Sequence, residues 1–148
     1  MMRVMVEQIV IGCVIILGSM VAAGGLWYGL EMLLIRLNPW ALRPPHAPKL
    51  MAILVLTLLG TFCMVAASVT IWSVTYLALE LFDTFEAALY FALVSFTTLG
   101  FGDVLLPDDW RLLGGFTAAN GFFAFGQITA LLIETMRSIR VRQRDSIS

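Results

Sequence analysis

Charged side chains are scarce in this sequence. Asp, Glu, Lys and Arg together make up 13% of its 148 residues. Three stretches contain none of them: Ile9 to Leu30, Leu50 to Leu79 and Leu112 to Ile133. That excludes an ordinary soluble domain, whose surface needs charge. Histidine occurs once, at His46, and the two cysteines, Cys13 and Cys63, both lie inside the uncharged stretches. A disulfide framework is therefore not expected, packing being the default reading of the cysteines, and the sequence shows no metal-binding cluster. There is no nucleotide-binding loop and no nucleophile–base pair, so no enzyme is expected, and no nucleic-acid partner. No stretch repeats arginine at every third position, which excludes a voltage sensor of the arginine-helix kind. The short segment after Glu134 gives no expectation of a cytoplasmic ligand-binding domain.

Apolar residues are abundant instead, at 60% of the chain. A bilayer core of ~30 Å is crossed by ~20 apolar residues in a helix, so each uncharged stretch predicts a span. Phe85 to Gly102 is also apolar apart from Glu86, but its helical part is too short to cross and suits a re-entrant element. A cleaved signal peptide would account for Arg3 and the apolar run to Ala23, yet that run continues beyond any cleavage point, so a retained first helix is expected. Gly18, Ala22, Gly25 and Gly29 place small residues on one face of it, with Gly60 and Ala67 of the second span as candidate contacts.

Charge is segregated along the chain. Arg36, Arg43 and Lys49 make the proline-rich stretch 38–49 and its leading flank basic, and Arg137, Arg140, Arg142 and Arg144 follow the third span. The stretch Glu80 to Arg111 carries six acids against one base. By the positive-inside rule the basic parts are cytoplasmic and the acidic part external, which places the N-terminus outside. Trp40, Trp72, Tyr76 and Trp110 fall where interfacial aromatic belts are expected. Arg137, Arg140 and Arg144 share a helical face suited to anionic headgroups. His46 is a lone histidine in a proline-rich stretch, read as ordinary surface rather than a pH sensor.

The chain is organised around Ser95-Phe96-Thr97-Thr98-Leu99-Gly100-Phe101-Gly102-Asp103. An ordinary strand points alternate carbonyls to opposite sides. Turning all of them to one axis requires left-handed residues at alternate positions, which glycine supplies without a Cβ penalty. Gly100 and Gly102 have that spacing. The carbonyls of Thr98, Leu99, Gly100 and Phe101, with the Thr98 hydroxyl, would then form oxygen rings able to replace the water shell of a cation. Leu99 and Phe101 would turn their side chains away from the axis. Upstream, Asp83 is expected to cap a short helix, with Glu86 reaching back in a capping box. Its C-terminal carbonyls would point negative charge into the membrane centre.

Thr97-Thr98-Leu99-Gly100-Phe101-Gly102-Asp103 resembles the filter signature of potassium channels, in its Gly-Phe-Gly form. The stretch from about Asp83 to Glu134 resembles their pore-helix, filter and inner-helix unit, most of all that of the small prokaryotic channels with one pore loop per chain. The resemblance implies an all-α membrane protein with three transmembrane helices, a re-entrant pore helix and a filter loop, assembled as a homotetramer around a four-fold pore. K+ would be the permeant ion, with no organic cofactor. It also implies that Thr97, Gly102 and Asp103 shape the filter, and that Asp103 is tied behind it. Tyr90, thirteen residues earlier, offers a hydroxyl for that tie, whereas Val94 stands where some relatives have a glutamate.

The expected divisions are a first helix at 1–36, a basic loop at 37–49, an outer helix at 50–80, the pore helix, filter and outer mouth at 81–111, an inner helix at 112–136 and a cytoplasmic tail at 137–148. On the inner helix, Asn120, Gln127 and Glu134 recur every seven residues and are read as lining the cavity; the alternative is that Asn120 and Gln127 bond neighbouring helices. Gly121 and Gly126 are candidate hinges, or close-packing glycines. Phe122, Phe123 and Phe125 are candidates for narrowing the path by dewetting. The expected function is passive K+ flux across the cell membrane. A weakly selective cation channel and a non-conducting regulatory subunit are the alternatives.

Overall fold

The computed structural model describes residues 2–41 and 46–145. Four α-helices and one turn of 3-10 helix account for most of them, and there is no strand among the described residues. Helix α1 is Met2–Ala41, α2 His46–Ala78, α3 Phe85–Phe96 and α4 Arg111–Asp145, with the 3-10 turn at Asp108–Trp110. Among the described residues, Met2–Leu33 of α1 and Met51–Ala78 of α2 are long and apolar enough to cross a membrane. At 12 residues, α3 reaches only about 18 Å at the helical rise and cannot.

The proline-rich segment is shorter than expected. Helix α1 continues through Pro39 to Ala41, and α2 already begins at His46. Pro39 falls in the last turn of α1, where only one intrahelical bond is lost. Pro48 falls in the first turn of α2, where a backbone N–H has no intrahelical partner in any case. The side chains of Trp40, His46, Glu134, Arg140 and Arg144 lie outside the described residues.

Helix α3 is capped one residue later than expected. Thr84, in extended conformation, is the N-cap, and its Oγ1 accepts from the Ala87 N–H at 3.2 Å. Glu86 is then too early for a capping box, though it still complements the positive end of the helix.

The ends of α2 and α3 share one construction. After α2, Glu80 takes a φ of 54°, its N–H bonds the Leu77 carbonyl at 2.9 Å, and the Leu81 N–H bonds the Tyr76 carbonyl at 3.0 Å. After α3, Thr98 takes a φ of 60°, its N–H bonds the Ser95 carbonyl at 2.9 Å, and the Leu99 N–H bonds the Val94 carbonyl at 3.0 Å. Both are Schellman motifs, with a non-glycine residue at the left-handed position that glycine usually fills.

The core sits where α2, α3 and α4 meet. Trp72, Tyr76, Phe96 and Leu113 are fully buried there, with Phe91 and Leu106 beside them. Tyr76 joins all three helices: its ring meets Phe91 edge-on at 5.3 Å, and its hydroxyl bonds Thr117 Oγ1 on α4. Trp72 and Tyr76 are therefore core residues and not an interfacial belt. A hydroxyl with a partner inside the protein has no need of the headgroup region. Trp110 is half-buried.

Helix α1 lies against both α2 and α4. A Cβ on Gly60 would come within 2.6 Å of Leu30 Cδ2, so that glycine admits α1, as expected of it. The small-residue face of α1 behaves differently. Gly18, Gly25 and Gly29 have open space where a Cβ would stand, and Ala22 is exposed. The face that α1 presents to the rest of the chain carries Gln8, Gly12, Ser19 and Ala23 instead, all of them buried.

Candidate functional site

The segment from Thr97 to Asp103 leaves the C-terminal end of α3 and turns back toward α4. Its conformation is set at its first residues. Thr97 folds its hydroxyl onto the helix end, donating to the Leu93 carbonyl at 2.8 Å. The Val94 carbonyl accepts from Leu99 N–H at 3.0 Å and from Gly100 N–H at 3.3 Å. The helix cap and the start of the segment are thus the same hydrogen bonds.

Positive φ then recurs at every second residue: 60° at Thr98, 58° at Gly100 and 77° at Gly102. The two glycines were expected there. Thr98 was not, because a β-branched residue resists this region. The Schellman bonds hold it there.

The segment has few contacts within its own chain. A Cβ on Gly100 or Gly102 would meet nothing within 4 Å, and Leu99 and Phe101 are 58% and 66% exposed. On the α3 side lies a cavity of about 210 Å³, lined by Tyr90, Val94, Ser95, Gly100, Gly102 and Asp103 among others. Tyr90 and Asp103 close one side of it. The Tyr90 hydroxyl donates to Asp103 Oδ2 at 2.6 Å. That bond holds the Asp103 carboxyl below the usual carboxylate range against its desolvation, with help from the backbone N–H groups of Asp103 and Val104. The same bond pushes the Tyr90 hydroxyl up, and desolvation and the carboxylate charge add to it. Val94 lines the cavity with an apolar surface, so the hydrogen bond from Tyr90 is the side-chain tie across it.

A family profile described as "ion channel" matches residues 54–138, more than half of the chain. The chain belongs to the ion-channel family. No curated protein and no solved structure matches it. The matched region of the channel takes in most of α2, all of α3, the Thr97–Asp103 segment and much of α4.

Helix α4 of the channel departs from the expected lining pattern. Asn120 is 2% exposed, and its Nδ2 donates to Ser19 Oγ of α1 at 2.7 Å. It therefore binds a neighbouring helix and does not face a cavity. A buried carboxamide in an apolar setting must find a partner, and α1 supplies it. Gln127, a heptad further on, shares that face and is half-buried. Gly121 is a close-packing glycine and not a free hinge: a Cβ there would stand 1.7 Å from the Phe96 carbonyl oxygen. Gly126 has open space around it. The exposed side of α4 carries Phe122, Gly126, Thr129 and Ile133, which share a face. Arg137 is exposed.

Two residues of α1 escaped the sequence-based expectations, Gln8 and Ser19. Both are polar, both are buried, and both bond α4 or the turn before it. The available signal was their polarity within an otherwise apolar helix.

Proposed function

We propose that this channel is a potassium-selective pore in which the Thr97–Asp103 segment is the filter. The observation that carries this reading is the alternation of positive φ at Thr98, Gly100 and Gly102. Such alternation turns successive carbonyls to a common side, so Thr98, Leu99, Gly100 and Phe101 can present a column of oxygens to a dehydrated cation. Thr97, Gly102 and Asp103 shape that column, and Tyr90 anchors Asp103 behind it.

One segment cannot surround an ion. Irregular backbone at membrane depth also has to be buried in protein or to line water. The exposure of Leu99 and Phe101 within one chain supports a closed ring of four copies around a shared axis, each supplying side chains that back the next filter. In that assembly α1, α2 and α4 each cross the membrane, with the N-terminus and the acidic 80–111 segment outside and the C-terminus in the cytoplasm. Six acids against one base in that segment concentrate cations at the outer mouth within the ~10 Å reach of unscreened charge. The inner path is lined from the exposed side of α4, with Phe122 positioned to narrow it by dewetting. Arg137 contacts anionic headgroups where the helix leaves the bilayer.

The test is ion flux from proteoliposomes containing the purified full chain, with potassium in one set and sodium in the other. The proposal expects potassium efflux many-fold faster than sodium efflux. Equal rates would overturn the selectivity. A second reading, a weakly selective cation channel, is favoured by one observation: Val94 is apolar, so the filter is held behind by the Tyr90–Asp103 bond with no second carboxyl. Reversal potentials under a potassium–sodium gradient separate the two, since a weakly selective pore reverses near zero.

A further inference from the structure

Helix α1 lies wholly outside the region that matches the ion-channel family, yet its two buried polar residues, Gln8 and Ser19, are spent on α4 and the turn that leads into it. Gln8 is 5% exposed. Its Oε1 accepts the Leu113 N–H at 3.2 Å, and its Nε2 donates to the Asp109 carbonyl. Leu113 is the third residue of α4, so its N–H is one of the four that no helix can satisfy internally. It is also fully buried, so water cannot satisfy it either. The carboxamide of Gln8 does so from another helix, and only one orientation of the amide fits, oxygen toward Leu113 and nitrogen toward Asp109. Four residues along α1, a Cβ on Gly12 would stand 2.5 Å from Phe116 Cγ, so the aromatic ring lies on bare backbone. Further along, Ser19 accepts from Asn120 at 2.7 Å while its hydroxyl lies 2.9 Å from the Ile16 carbonyl, to which it can donate. Residues 8, 12 and 19 of α1 thus meet 113, 116 and 120 of α4 in the same order, and the two helices run parallel along this contact.

We infer that α1 is a positioning element of the conduction unit. Gln8 sets the first turn of α4 and the exit of the filter, and Ser19 sets the middle of α4 through Asn120. The inference rests on the filter assignment above. Asp109 is six residues past Asp103, and between them Leu106 is buried in the same core as Leu113. A shift of the Asp109–Leu113 turn therefore pulls on the segment that ends at Asp103. Ser19 and Asn120 lie farther from that turn and bear on the inner part of α4. The two contacts have separable consequences. Losing the Gln8 contact disturbs selectivity, and losing the Ser19–Asn120 contact changes how readily the pore opens while leaving selectivity alone.

The experiment compares Gln8→Leu, Gln8→Glu, Ser19→Ala and wild type as full chains in proteoliposomes. Two quantities are read: amide hydrogen exchange at Leu113, and potassium and sodium flux. Loss of a buried hydrogen-bond acceptor should speed Leu113 exchange roughly tenfold or more in Gln8→Leu. Gln8→Glu keeps an acceptor for that N–H, so its exchange should stay near the wild-type rate. The potassium-to-sodium flux ratio should fall in Gln8→Leu and recover at least in part in Gln8→Glu. Ser19→Ala should change total potassium flux with the ratio unchanged. Wild-type exchange at Leu113 in Gln8→Leu would overturn the inference, and so would a flux ratio that moves equally in Gln8→Leu and Ser19→Ala. If Gln8→Leu does not assemble, Gln8→Ala, which removes the same carboxamide with less bulk, is read in its place against Ser19→Ala with the same two outcomes. A wild-type protein without potassium flux would defeat the filter assignment, while the exchange rates would still decide whether Gln8 caps α4.

Discussion

Thr98 offers the sharpest perturbation, because it fills two roles that can be pulled apart. Its φ of 60° places a β-branched residue in the left-handed region, which costs a non-glycine residue about 1–2 kcal/mol. Thr98→Gly removes that strain. It also raises the backbone entropy of the unfolded chain, at a cost of about 0.5–1 kcal/mol. The net expectation is a gain of between about 0 and about 1.5 kcal/mol per chain. The same substitution deletes the hydroxyl proposed for the innermost ion site. Thr98→Gly should therefore raise the unfolding midpoint in detergent while altering barium block, and Thr98→Val should alter block with no gain in stability. Glu80 provides the control, since it holds the matching position after α2 with a φ of 54°. Glu80→Gly should give a similar gain, with block unchanged. A Thr98→Gly protein that unfolds earlier than wild type would show that the strain argument is wrong.

Gly100→Ala and Gly102→Ala meet no steric obstacle within the chain, so their cost is conformational, about 1–2 kcal/mol each from φ values of 58° and 77°; potassium flux should be lost while membrane insertion stays intact, and full flux in either variant would count against the filter. Gly121→Ala should destabilise at the upper end of the about 1–3 kcal/mol range for overpacking or beyond it, because the obstacle is the Phe96 backbone carbonyl. Gly126→Ala has open space and should be neutral or stabilising by up to about 1 kcal/mol, so thermal unfolding of the pair checks the packing. Tyr90→Phe removes the bond that holds the Asp103 carboxyl below its ordinary value. A depressed carboxyl contributes above the ordinary carboxylate range, and that contribution is lost as pH falls through the folded value. Wild-type flux should therefore persist on external acidification through the ordinary carboxylate range and fail only below it, and in Tyr90→Phe the failure should move to higher pH. On the alkaline side the raised Tyr90 hydroxyl stays protonated, and the bond intact, beyond the range in which an ordinary tyrosine titrates. Coincident profiles for the two proteins would rule out this role for the hydroxyl.

What could be read from the sequence followed from spacing. Gly100 and Gly102 announce the alternation because only glycine takes left-handed φ freely, and the thirteen-residue interval from Tyr90 to Asp103 ends in an observed hydrogen bond. The brevity of α3 followed from the length of its apolar run. Local propensity failed where tertiary bonds overrode it. Thr98 is forced into the left-handed region by the helix cap, against its own preference. Asp83 and Thr84 are both good N-caps, and nothing in their order favours Thr84. Asn120 shows a deeper ambiguity. A polar residue in an apolar helix must face either water or a partner, and a seven-residue period is the same for both. Its partner, Ser19, lies 101 residues away, beyond any local pattern. The glycines of α1 misled for a related reason: Gly18, Gly25 and Gly29 advertise close approach, while the contact to α4 uses Gly12 beside two polar residues.

The distance along the chain between Gln8 and Leu113, 105 residues, bears on how the protein is made. A nascent α1 enters the bilayer long before α4 has been synthesised. Until then Gln8 lacks its Leu113 and Asp109 partners and Ser19 lacks Asn120, and the partners within reach are the Val4 and Ile16 carbonyls of α1 itself. A chain ending before α4 therefore leaves part of the hydrogen-bonding capacity of Gln8 and Ser19 facing lipid, and docking of α4 is what covers it.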